Sequence, residues 1–128
     1  MELVVVILVV ALLQYITFAM LVGRARGKFG VKAPAVTGDA TFERYFRVQQ
    51  NTIELLVAFV PAIWLFGQYV STLWAAILGV VYLVGRVVYL KSYVADPEKR
   101  GAGFGLSALP ILAMLIGVLI KAGMRLLA

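Results

Sequence analysis

Residues 42–54, FERYFRVQQNTIE, carry Arg44, Arg47, Gln49, Gln50, Asn51 and Glu54, and they run without a turn signal into LLVAFVPAIWLF. That second segment is apolar enough to enter a bilayer. On a helix of 3.6 residues per turn, Arg47, Asn51 and Glu54 stand at i, i+4 and i+7 and share one narrow stripe. A cation, an amide and an anion then line one face of a membrane helix. Ionisable groups at such depth are expensive to expose to lipid and mark sites that face protein or water. A second stripe lies further along, where Arg86, Tyr89 and Tyr93 fall at i, i+3 and i+7, with Tyr82 one turn earlier.

The chemistry of these groups describes a ligand. Arg47 offers a planar fork for a carboxylate, and Glu54 suits an ammonium. Asn51 and Gln49 can bond a peptide amide, while the phenols and Arg100 favour an anion near the headgroups. Together they fit a small zwitterionic peptide with surplus negative charge, bound beside lipid. The same residues have a purely structural use. Polar side chains hold helices together in membranes at under about 1 kcal/mol per hydrogen bond. Glu43 with Arg47, and Glu54 with Arg86, could neutralise each other. Spacing alone leaves both uses open.

Four apolar helices are expected to position these stripes. The chain has 128 residues, 63% of them hydrophobic, with a mean hydropathy of +1.00. Soluble domains average about 45–50% apolar, so the composition describes an integral, multi-pass membrane protein of one domain, residues 1–128. Residues 3–23 carry no charge and match the roughly 20 needed to span hydrocarbon. They read as a retained helix over about 3–24, because Glu2 replaces a basic leader and no A-x-A cleavage pattern follows. Residues 24–40, with their glycines and Pro34, read as a loop, with Asp39 or Thr41 capping the next helix. The second helix is expected over 42–66, with Pro61 inside it. The third is expected over 72–95. Asp96-Pro97 then opens a charged turn, and the fourth helix covers about 103–125.

The formal charge of +6 belongs to the loops and implies no nucleic acid. Arg24, Arg26, Lys28, Lys32, Arg44, Lys91, Lys99 and Arg100 fall on the side of the two long loops, against Lys121 and Arg125 opposite. The positive-inside tendency points that side, and the polar stripes with it, toward the cytoplasm of a bacterial inner membrane or the endoplasmic reticulum. The chain has no cysteine and no histidine. It therefore has no thiolate of its own, no usual general base and none of the common zinc or haem ligands. If the protein does chemistry, a reactive thiol or a metal would have to come from the ligand; no metal and no haem are expected.

At these residues the chain resembles the MAPEG family, the membrane-associated proteins in eicosanoid and glutathione metabolism. The resemblance rests on F-E-R-x-x-R-x-Q-x-N-x-x-E at 42–54, on G-R-x-x-Y-x-x-x-Y at 85–93 and on P-x-x-R-G-x-G-F at 97–104. It covers essentially the whole chain. It implies an all-α membrane protein, a four-transmembrane-helix bundle assembling as a homotrimer, with glutathione bound between neighbouring subunits. Arg47, Asn51, Glu54, Tyr89, Tyr93 and Arg100 would contact glutathione, with Arg26 and Gln49 contributed across the subunit boundary and Arg86 supporting the site. Arg100 would be the catalytic residue that stabilises the thiolate. Two positions depart from the synthase-like members: Leu55 replaces a tyrosine, and Arg26-Gly27 replaces consecutive arginines.

The resulting expectation is a membrane-bound glutathione transferase, with glutathione peroxidase activity as an extension, acting on a lipophilic electrophile or lipid hydroperoxide. The alternative within the same family is a non-catalytic scaffold that binds membrane lipid. A small proton-coupled exporter would need a membrane-embedded carboxylate free to exchange a proton. Glu54 is the one deep candidate for that, and it sits among arginines.

Overall fold

A computed structural model describes all of residues 1–128. It is all-helical: α1 spans Glu2–Phe29, α2 Ala40–Tyr69, α3 Thr72–Ala95 and α4 Gly101–Leu127, with a single 3-10 turn at Pro97–Lys99 before α4. All four long helices are apolar enough to cross a membrane. The best window of α2 has a mean hydropathy of 1.4 against 2.7 for α1, because α2 carries the polar stripe. Side chains such as Leu3, Val57, Leu109 and Leu119 point outward, as they do when the surrounding solvent is hydrocarbon.

Helix ends follow local chemistry. Asp39 caps α2 by accepting a hydrogen bond from the Phe42 N–H at 2.9 Å, and Ser71 caps α3 by accepting from Trp74 N–H at 3.1 Å. Asp96 accepts from Glu98 N–H, with Pro97 at the first position of its turn. The first helix runs further than expected: residues 24–29 are helical, not loop. The glycines at 23 and 27 have nothing near them, and Val22 and Ala25 bury a stripe against Val31 and Phe42 that keeps the helix intact. It stops at Gly30, which takes the left-handed conformation (φ 71) that glycine adopts without penalty. Arg26 and Lys28 lie in the last turn, where cations favour the negative end of the helix dipole. Pro61 interrupts nothing, since α2 continues through it.

Helices α2 and α3 form the inner pair, each packed on both other helices. Contacts at the ends fix the antiparallel order. Arg44, near the start of α2, donates to the carbonyls of Val94 and Ala95 at the end of α3. At the opposite end Thr72 Oγ1 reaches Met1 Sδ, and Arg125 lies over the Tyr69 ring. The main core clusters Val4, Ile7, Phe59, Ile63, Tyr82 and Met114 among others. Phe59 and Tyr82 stack with ring centroids 3.9 Å apart.

The α3–α4 crossing matters most for the site. A Cβ on Gly85 would sit 2.7 Å from the Leu106 backbone carbon and 2.8 Å from Ser107 N. A Cβ on Gly103 would run into the backbone of Tyr89. Two glycines, one on each helix, thus let the backbones meet, as small residues do in membrane helix pairs.

Candidate functional site

That close crossing brings Arg86 to Ser107. Arg86 is fully buried. Its Nε donates to Ser107 Oγ at 2.8 Å, and its Nη1 donates to Asn51 Oδ1 at 2.7 Å and to Thr52 Oγ1 at 3.2 Å. Ser107 in turn donates to the Gly103 carbonyl. One guanidinium therefore ties α2, α3 and α4 together at one level. It also lies 4.4 Å from the centroid of the Tyr89 ring, the distance of a cation–π contact. Its Nη2 has no partner. No carboxylate pairs with it, because the single ion pair of the chain is the N-terminus with Glu2. The Glu54–Arg86 and Glu43–Arg47 pairs that a purely structural use would allow are not formed. Glu43 instead accepts from the Gly38 N–H at 3.2 Å.

In front of this group lies a cavity of about 400 Å³, lined by Arg47, Gln50, Asn51, Glu54, Tyr89, Tyr93 and Arg100. Three elements build it. The α2 stripe supplies Arg47, Asn51 and Glu54, and α3 supplies Tyr89 and Tyr93, whose rings lie 5.4 Å apart. The turn before α4 supplies Arg100, whose Nη1 donates to the Pro97 carbonyl at 2.9 Å. The cavity wall holds two guanidiniums and one carboxylate, and none of the three is spent on an ion pair within the chain. The chemical capacity is that of a cradle with a carboxylate fork, an ammonium acceptor, two amides and two phenols.

The structure gathers Arg47, Asn51, Glu54, Tyr89, Tyr93 and Arg100 on this wall. It leaves three other candidates off it. Arg86 stands behind the wall and holds Asn51. Gln49 turns toward α1, its Nε2 donating to Tyr15 OH at 3.4 Å. Arg26 donates to the Ala35 carbonyl at 2.6 Å and lies over the Phe42 ring. Gln50 had no assigned role, yet it lines the cavity. Its place at i+3 from Arg47 and i−4 from Glu54 was the available signal. Two small hydroxyls gave no such signal: Ser107 stands in an apolar run, and Thr52 stands among the larger polar side chains of residues 49–54.

A neighbouring cavity of about 460 Å³ shares Arg47 and Tyr93 and is otherwise lined by residues such as Val36, Glu43, Arg44 and Phe46. It is larger, but its own charged groups are already engaged: Glu43 with Gly38 and Arg44 with the end of α3. The smaller cavity adds Glu54, which makes no hydrogen bond or ion pair within the chain, to the Arg47 that both cavities share.

The sequence pattern of the MAPEG family matches residues 4–120. An uncharacterised protein of Synechocystis is 45% identical over 111 residues, which cover 87% of this chain and 81% of that protein. Human microsomal glutathione S-transferase 2 is 47% identical over 98 residues, covering 77% of this chain and 66% of the relative. Bovine leukotriene C4 synthase is 35% identical over 91 residues, covering 71% of this chain and 61% of the relative.

Proposed function

The chain belongs to the MAPEG family, and from that membership we propose that it is a membrane-embedded glutathione transferase whose cavity between α2 and α3 holds the tripeptide. The observation that carries this reading is the convergence of Arg47, Asn51, Glu54, Tyr89, Tyr93 and Arg100 on one cavity wall in a chain with no thiol of its own. The relatives named as a glutathione transferase and as leukotriene C4 synthase support the same class of chemistry.

Each group then has a task. Arg47 receives a glutathione carboxylate, and Glu54 takes the ammonium of the γ-glutamyl end. Gln50 and Asn51 bond the peptide amides, and Arg86 fixes the Asn51 amide from behind. Arg100 faces the sulfur. A cysteine thiol has a pKa near 8.5, so only a few per cent is thiolate at pH 7. Lowering it by about two units needs about 2.7 kcal/mol of preferential stabilisation, which a guanidinium at bonding distance can supply. The thiolate sulfur attacks an electrophilic carbon dissolved in the bilayer, an S–C bond forms, and the leaving group departs with its electron pair. With a lipid hydroperoxide, two glutathiones would give the disulfide, the lipid alcohol and water.

The working unit in this proposal is a homotrimer. Arg26 and Gln49 lie outside their own chain's cavity, and a neighbouring subunit is where they would reach glutathione. The excess of basic groups at the end carrying the cavity orients it toward the cytoplasm.

The test is conjugation of glutathione to a lipophilic chloronitroarene by protein in liposomes. Activity is expected for the parent chain and a loss of at least about a hundredfold for Arg100→Ala, the scale of removing one charge-stabilising donor. Full activity in the variant would remove Arg100 from the thiolate.

A further inference from the structure

A second polar recess lies on a different face of α2. A crevice of about 170 Å³ between α1 and α2 is lined by Leu21, Arg24, Lys28, Phe29, Thr41 and Tyr45. It shares no residue with the cavity proposed for glutathione. Arg24 and Lys28 stand at i and i+4, on one face of α1. Neither forms an ion pair, since the single pair of the chain is at the other end of the bundle. Lys28 Nζ is drawn over the Phe29 ring, 5.5 Å from its centroid, and this holds the ammonium near the crevice. The hydroxyls of Thr41 and Tyr45 complete a lining with donors and no acid.

Two further features decide what such a site would hold. Residues 3–23 are uncharged and Arg24 is the first cation of the chain, so the crevice begins where α1 leaves the hydrocarbon. Below it, Val6, Val10, Leu13 and Met20 are exposed and spaced so that they run up the same face of α1 as Arg24 and Lys28. Thr17 lies on this face as well, with its hydroxyl turned back onto the Leu13 carbonyl, so a largely apolar track leads to a paired-cation recess at headgroup depth. A soluble anion has no use for the track, and a zwitterionic headgroup would set its own cation against the two already there.

We propose that this crevice binds the phosphate of an anionic phospholipid, with Arg24 and Lys28 on the phosphate and an acyl chain along Val6, Val10, Leu13 and Met20. Bound there, the lipid would staple α1 to α2 at the end of the bundle that carries the catalytic cavity.

Native mass spectrometry of the detergent-purified protein, titrated with phosphatidylglycerol or with phosphatidylcholine of the same chains, tests this. Saturable binding of phosphatidylglycerol is expected, weakened about thirty-fold in Arg24→Gln/Lys28→Gln, given that each interfacial cation contributes about 1 kcal/mol. The charge-preserving Arg24→Lys/Lys28→Arg should keep it, which separates lost binding from lost fold. Lys91→Gln/Lys99→Gln removes the same charge elsewhere on the loop side and should weaken binding less than about threefold. An equal loss in that control would show diffuse attraction and overturn the site. So would phosphatidylcholine binding as well as phosphatidylglycerol. Displacement of the lipid by millimolar inorganic phosphate would assign the crevice to a soluble anion and overturn the lipid proposal.

Discussion

Arg86 and Glu54 are both charged residues on inner helices, yet the structure gives them opposite duties. Arg86 is buried and makes three hydrogen bonds to two other helices. Glu54 lines the cavity and makes no hydrogen bond or ion pair within the chain. Replacing Arg86 by Lys keeps the charge but cannot reach Asn51, Thr52 and Ser107 together, because an ammonium lacks the planar fork. The expected loss is about 1–3 kcal/mol of stability, read as a lowered thermal midpoint in detergent, with weaker glutathione binding alongside. Glu54→Gln should leave the thermal midpoint unchanged and weaken glutathione about tenfold by calorimetry, through the lost ammonium partner. Equal destabilisation by both variants would return Glu54 to a structural role. The α2 and α3 stripes were legible because helical periodicity alone puts their members together. The Arg86–Ser107 bond was not, since Ser107 sits in an uncharged run and nothing in its neighbours says which helix it meets.

The element that sets the site is the α3–α4 crossing. Gly103→Val would push α4 away from Tyr89, separating Ser107 from Arg86 and shifting Arg100 relative to the α2 stripe. A stability loss of at least about 1–3 kcal/mol is expected, together with loss of glutathione binding. Gly105→Ala, two residues on with nothing near its Cβ, is the matched control and should be neutral. A neutral Gly103→Val would contradict the close crossing. At the start of α2, Asp39→Ala removes the cap bond to Phe42 and should cost about 1 kcal/mol, again seen in the thermal midpoint. This cap was readable, because an Asp before an apolar run has a local mechanism. The end of α1 was not. Glycine-rich 23–30 looks like a loop on propensity, and tertiary packing of Val22 and Ala25 against Phe42 overrides it.

At the scale of the whole molecule, one end of the bundle gathers the cavity, the basic loops and the crevice between α1 and α2, while the opposite end has Met1, Tyr69 and Arg125. A trimer makes one further demand. Arg26→Ala alters no residue of its own chain's cavity, so it should weaken glutathione only by acting across a boundary. A several-fold rise in the dissociation constant, with three chains per particle in native mass spectra, is the expected outcome. Unchanged affinity would separate Arg26 from the ligand. Four spans could be counted from hydropathy, but assembly depends on which lipid-like faces meet, and apolar faces such as that of α4 carry no signal that tells a neighbouring subunit from lipid.

The most direct test is titration of the purified protein with glutathione at neutral pH, following ultraviolet thiolate absorbance, with Arg100→Ala in parallel. A saturable thiolate signal is expected in the parent chain, with binding but no such signal in the variant. Saturable binding with no thiolate in the parent, or an undiminished signal in Arg100→Ala, would rule out Arg100 as the group that activates the thiol.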